Sequence, residues 1–314
     1  MDNKTLTVIL CQTREGNYTF NSLQDKVLRP LASDLAFCGS TDPGEEDKII
    51  ANAKYVWNFP EPSNWADACD AVSTNNSNWR DLCKFGKVFL GGGGFQDSIG
   101  SGLIIMYWRE ILRQSLTKEI LSKYDWFIIT RSDFNWVVEH PDVKLLDPKF
   151  LYFLDGEKYG GVSDRHIIFH TSLATKVLSI ANGIFHESKE LEVVLLESPI
   201  KDLNPEKYIY ITLGRMGMQQ QIKFIPYLGY AIRHENTKTR WSSGSYSPRH
   251  GYYIKYPKEF IASLKNKFVI RSQADWRDIL SNDRNLWISL RTLISKSFHV
   301  KHQLDRVKRK LLRY

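Results

Sequence analysis

An α/β fold built on a largely parallel sheet is what this sequence predicts, and three observations carry the prediction. Short apolar, β-branched runs alternate with segments of helical periodicity from the N-terminus onward. One of these runs, Trp126-Phe127-Ile128-Ile129-Thr130, is almost wholly apolar, as a central strand covered on both faces must be. The composition is that of an ordinary globular protein, with 42% hydrophobic and 25% charged residues, which excludes a disordered or fibrous chain.

The elements follow in order. Thr5 to Cys11 is the first strand, then come a polar loop from Gln12 to Asn21 and a helical pattern at Leu23, Val27 and Leu31. Leu35 to Cys38 reads as the second strand, stopped by the turn residues Gly39 to Gly44, and Tyr55 to Phe59 as the third. Asn64 to Gly86 is polar and Trp-rich with helical pieces, and Gly91 to Gly94 is expected to act as a hinge. Ile99 to Leu116 is a helix whose Leu103, Met106, Tyr107, Ile111 and Leu112 share one face. After the central strand, His140 to Pro148 is loop-like, Phe150 to Leu154 and Ile167 to Phe169 are strands, and Leu173 to Ile180 is helical. Asn204-Pro205-Glu206 starts a further helix, with proline in its first turn.

The net charge of +8 is concentrated in one place. From Arg291 onward eight basic residues stand against a single acid, Asp305, so the rest of the chain is nearly neutral. A nucleic-acid-binding domain would carry a basic surface on its body, so nucleic acid is not an expected partner. In the tail, Val300, Leu304, Val307 and Leu311 form one stripe and Lys301, Lys308 and Lys310 fall elsewhere, the pattern of a basic amphipathic helix suited to an anionic membrane surface. Residues 1–285 are therefore read as one domain and 286–314 as a basic helix. No run reaches the ~18 apolar residues of a membrane span, and Met1-Asp2-Asn3-Lys4 does not open a secretory signal. The expected location is cytoplasmic, peripheral on the inner face of a membrane. Cys11, Cys38, Cys69 and Cys83 form no CxxC pair and are expected to be reduced core residues.

Parallel sheets bind ligands at the carboxyl ends of their strands. Three segments fall there: the loop after the first strand with Gln12 and Arg14, the exit of the central strand at Arg131-Ser132-Asp133, and the stretch Asp155 to His166. That last stretch packs three acids, an arginine, a histidine and three glycines between two apolar strands, more charge than a plain turn requires. A parallel-sheet opening followed by a central strand with a short acidic exit resembles the GT-A class of glycosyltransferases, in which an Asp-x-Asp motif holds a divalent cation against the donor diphosphate. The block Tyr124 to Asp133 and the Gly-Glu-x-Tyr-Gly-Gly-x-x-Asp-Arg-His segment are also similar to bacterial and viral proteins of polysaccharide and lipopolysaccharide assembly. In this chain the first acid of the motif is replaced by Arg131.

The resemblance implies a GT-A-like, Rossmann-like fold and a nucleotide-sugar-dependent glycosyltransferase. Its partners would be a nucleotide-sugar donor and a glycan or lipid-linked acceptor, in polysaccharide, lipopolysaccharide or viral glycan synthesis. It implies that Asp133, with Ser132 beside it, contacts Mg²⁺, Mn²⁺ or the sugar, and that His234 or His250 supplies a late metal ligand. Without a metal, Arg131 would neutralise the leaving phosphate. Gly160 and Gly161 would let backbone approach the donor, Asp155 would bind sugar hydroxyls, and either Glu157 or Asp164, the latter beside Arg165, would be the general base. Arg14 would contact phosphate or base, and Arg233 with Trp241 would hold a phosphate and stack a sugar. The alternative is a noncatalytic glycan- or nucleotide-binding protein of the same fold.

Overall fold

A computed structural model describes residues 3–41, 47–75, 77–86, 100–198, 202–234 and 244–281. Its strands are β1 (Thr5–Gln12), β2 (Asp34–Ser40), β3 (Tyr55–Asn58), β4 (Trp126–Thr130), β5 (Phe134–Trp136), β6 (Leu151–Leu154), β7 (Ile167–His170), β8 (Ile222–Ile225), β9 (Gly229–Arg233), β10 (Ser245–Ser247) and β11 (Tyr252–Ile254). The longer helices are α1 (Gly16–Leu23), α2 (Trp65–Val72), α3 (Ser101–Ser115), α4 (Ser188–Glu197), α5 (Pro205–Arg215), α6 (Pro257–Val269) and α7 (Gln273–Ser281). The chain divides into two compact units interleaved along the sequence. The first draws on Met1–Thr13, Asp34–Arg131 and Pro148–Ile225, the second on Arg14–Ser33, Ser132–Asp147 and Pro226–Tyr314. The basic helix expected at 286–314 with its membrane surface, the Gly91–Gly94 hinge and Trp241 lie outside the described residues. Among the described residues no helix is long and apolar enough to cross a membrane.

The first unit is the expected α/β fold. Its seven strands run in the order β3-β2-β1-β4-β7-β6-β8, and every pairing is parallel except those that β7 makes with β4 and β6. The reversal follows from the connection. The 155–166 segment between β6 and β7 contains no helix, and a short helix-free link favours an antiparallel return, whereas the helices between β7 and β8 bring the chain back so that β8 runs parallel to β6. All five residues of β4 are buried, as an apolar central strand requires. Phe127 stacks on its cross-strand partner Phe169 with ring centroids 5.5 Å apart, a pair that adds about 1 kcal/mol beyond the area it buries.

Strand order turns at the β1–β4 pair: β2 and β3 lie to one side of β1, and β4 begins the other. The carboxyl end of β1 is conformationally unusual. Cys11 has φ of 82°, in the left-handed region that residues with a side chain seldom enter. Its carbonyl passes so close to Gly39 of β2 that a Cβ there would lie 1.5 Å from the oxygen, so only glycine fits. Such strain concentrates at functional positions. Cys38, Cys69 and Cys83 are buried free thiols and Cys11 is half-buried; burial lifts the Cys38 and Cys69 thiols well above their usual range.

The second unit is built on an antiparallel sheet in the order β10-β11-β9-β5. Helix α1 meets it where Ser22 Oγ accepts the Trp136 N–H at 3.0 Å. Helix α6 covers β9 through Phe260, edge-on to Tyr230 at 4.7 Å, and through the fully buried Glu259, which accepts the Ala231 N–H at 3.0 Å. Helix α7 is pinned by the indole of Trp276 donating to the Glu139 carbonyl at 2.9 Å.

Candidate active site

In an open α/β sheet the ligand crevice lies beyond the strand ends where the order turns. In the first unit that place is a pocket lined by Leu10 and Cys11 of β1, Ile129 and Thr130 of β4, Arg131 just beyond it, Ile105 of α3, and Asp164 and Arg165. Its walls are apolar and its charged groups come from the two segments that the sequence singled out. The Thr130 hydroxyl donates to the Arg165 carbonyl at 3.2 Å, tying the exit of β4 to the approach of β7. Arg165 Nε stands 4.0 Å from Asp164 Oδ1, and both side chains are buried.

What brings Asp164 here is a close approach between its loop and helix α5. The helix starts with Asn204 as N-cap, accepting the Lys207 N–H at 2.8 Å, followed by Pro205. The Val162 N–H donates to the Glu206 carbonyl at 3.2 Å, and the Asn204 side chain donates to the Tyr159 carbonyl at 3.0 Å. A Cβ on Gly161 would lie 2.0 Å from the Glu206 carbonyl oxygen, so glycine is required. The backbone that Gly161 admits is therefore the first turn of α5. Gly160 has φ of 90°, and Glu157 and Tyr159 also turn left-handed, at 45° and 41°.

This packing places Glu206, which the sequence presents only as a helix-start acid, among the charged groups of the site. Its acid is pushed up to about 8, mainly by burial and then by the Asp164 carboxylate, with Arg165 and Arg131 pulling the other way. Folded protein therefore holds this proton more tightly than unfolded chain does. The resulting stabilisation is complete below the ordinary carboxylate range and is lost as pH rises through about 8. Glu206→Gln is expected to melt with the wild type near about pH 5 and on the order of 5 °C above it near about pH 8.5. Parallel melting profiles across that range would refute the buried protonated acid.

Arg109 is the second residue the sequence reading missed. It is buried on α3 at 4% exposure, and its Nη2 reaches the Asp164 carbonyl at 3.5 Å. Burial lowers its proton affinity, opposed chiefly by Asp164. A signal did exist: Leu103, Met106 and Leu112 mark a stripe at steps of three whose vacant position is Arg109.

The other expected residues of this unit are held in local contacts. Gln12 donates to Glu61 Oε2 at 2.6 Å. Asp155 is paired with Lys158 at 2.7 Å. Glu157 does not line the switch-point pocket, whereas Asp164 does.

Ser132, Asp133, Arg14, Arg233, His234 and His250 belong to the second unit. Asp133 and Arg233, separated by 100 residues, form a buried ion pair through Oδ2 and Nη1. Their strands are in register, with the Ile232 N–H donating to the Asp133 carbonyl at 2.9 Å. The Ser132 carbonyl accepts from the Thr19 hydroxyl, and Arg14 is exposed. His234 donates its N–H to the buried Glu15 carboxylate at 2.9 Å and stacks on Tyr18 at 4.8 Å. His250 sits in the β10–β11 turn with Nδ1 2.8 Å from Ser247 Oγ, its ring stacked on Tyr252; burial and then Arg249 lower its proton affinity. A dication held by Asp133 would face the guanidinium of Arg233, and among the described residues no three His, Cys, Asp or Glu are grouped to hold a metal ion. The donor set there does not fit the divalent cation that the motif implied.

No family model matches the chain, and no characterised protein matches it in sequence. Among solved structures it is similar to the apo form of mouse xyloside xylosyltransferase 1, at 9% identity over 72% of this chain and 86% of that one, with a TM-score of 0.38.

Proposed function

We propose that the protein is a glycosyltransferase that moves a sugar from a nucleotide-sugar donor to a hydroxyl of a glycan acceptor, such as a polysaccharide, lipopolysaccharide or viral glycan. The observation that carries this reading is the switch-point pocket of the first unit, where Arg131, Asp164 and Arg165 gather on apolar walls beyond the ends of β1 and β4. Transfer needs positive charge for a departing diphosphate and a base for the acceptor hydroxyl, and this pocket has both kinds of group. Asp164 is the base in this reading. As the acceptor oxygen bonds to the anomeric carbon, its proton passes to Asp164. The bond from that carbon to the phosphate oxygen breaks with its electron pair leaving on the diphosphate, toward Arg131 and Arg165.

The test is a panel of UDP-, GDP- and CMP-sugars incubated with the protein in the presence of EDTA, followed by release of free nucleotide. One nucleotide class is expected to be consumed and to raise the melting temperature, since a ligand that binds only folded protein stabilises it by mass action. Inertness toward every donor, with and without Mn²⁺, would sink the reading.

A further inference from the structure

Arg109 is a charged group beside the switch point that no motif announces. It lies one turn along α3 from Ile105, which lines the pocket. Its side chain is almost fully withdrawn from water. One long contact to the neutral Asp164 carbonyl is given by Nη2, and Nε finds no acceptor among the described residues. The groups that act on its charge are Asp164, then Cys11 and Tyr208, of which Asp164 and Cys11 line the pocket. Burying a guanidinium with so few acceptors is costly, and an anion brought close to it offsets that cost. Arg131 and Arg165 add two guanidinium groups to the lining of the same pocket, with Arg165 Nε 4.0 Å from Asp164, and burial followed by Asp164 raises the proton affinity of Glu206.

We infer that Arg109, Arg131 and Arg165 form a metal-independent anion site for the diphosphate of a nucleotide, with Arg109 contributing its charge from inside the core. This rests on the transferase reading and deepens it by naming the group that is bound and what binds it. The guanidinium forks of Arg131 and Arg165, which line the pocket, match phosphate oxygens in pairs, and the charge of the buried Arg109 behind them is little screened by water.

The experiment is calorimetric titration of the full chain with inorganic pyrophosphate in EDTA, and then with UDP, GDP and CDP. Saturable pyrophosphate binding without metal is expected, with at least one nucleoside diphosphate binding more tightly. Arg109→Gln is expected to weaken pyrophosphate by about tenfold or more. Should that variant fail to fold, Arg109→Lys keeps the charge but loses the planar fork, and is expected to weaken it by about threefold or more. Wild-type affinity in the folded variant, a requirement for Mn²⁺, or no preference for any nucleotide over pyrophosphate overturns the inference. The two readings separate cleanly. Pyrophosphate binding that depends on Arg109, with no nucleotide sugar consumed, leaves the site standing and removes the transferase. Turnover with pyrophosphate binding indifferent to Arg109 removes the site alone.

Discussion

Asp164→Asn is expected to lower turnover by roughly 10²-fold to 10⁴-fold, the range lost with a positioned general base. The amide keeps the size of the side chain but cannot take the acceptor proton. Nucleoside diphosphate affinity should hold or rise, because the substitution removes negative charge from among Arg109, Arg131 and Arg165. That split between kcat and binding is the informative part. A charge-silent change of fold would lower both together, and normal turnover in the variant would pass the role of base to Glu157.

The second large effect belongs to stability. Asp133→Ala is expected to cost roughly 3–5 kcal/mol, because Arg233, at 2% exposure, would be left buried without its carboxylate. Removing both partners as Asp133→Ala with Arg233→Met should recover much of the loss, since an apolar pair of similar volume can replace a buried ion pair. Urea unfolding of the two single variants and the double variant gives the coupling directly. Additive costs would mean that the pair is not coupled, returning Asp133 to a role toward ligand alone.

The sheet was legible in the sequence because its strongest element needed no partner to be recognised. An apolar run such as Trp126–Thr130 has one stable environment, a central strand with both faces covered, and β1, β2 and β3 followed from the alternation that precedes it. The antiparallel β7 was hidden because its direction depends on the absence of a helix across 155–166, a property of the link and not of the strand. Asp164 and Arg165 were visible as chemistry in an unexpected place. Glu206 was not, since an acid in the first turn of a helix is what the helix dipole favours anyway; its burial depends on Gly161, 45 positions earlier, admitting the start of α5. Asp133 and Arg233 were each noticed and could not be joined, because their pairing is written in the register of β5 against β9.

The strand order of the first sheet has a consequence for how the chain is made. Strand β1 is made before the other strands of its sheet, yet it lies inside that sheet, and its partner β4 follows more than a hundred residues later. At roughly 5–20 residues per second, the apolar edge of β1 waits on the order of ten seconds with only β2 beside it. During that interval the nascent chain displays an unpaired hydrophobic strand, the usual template for association between chains.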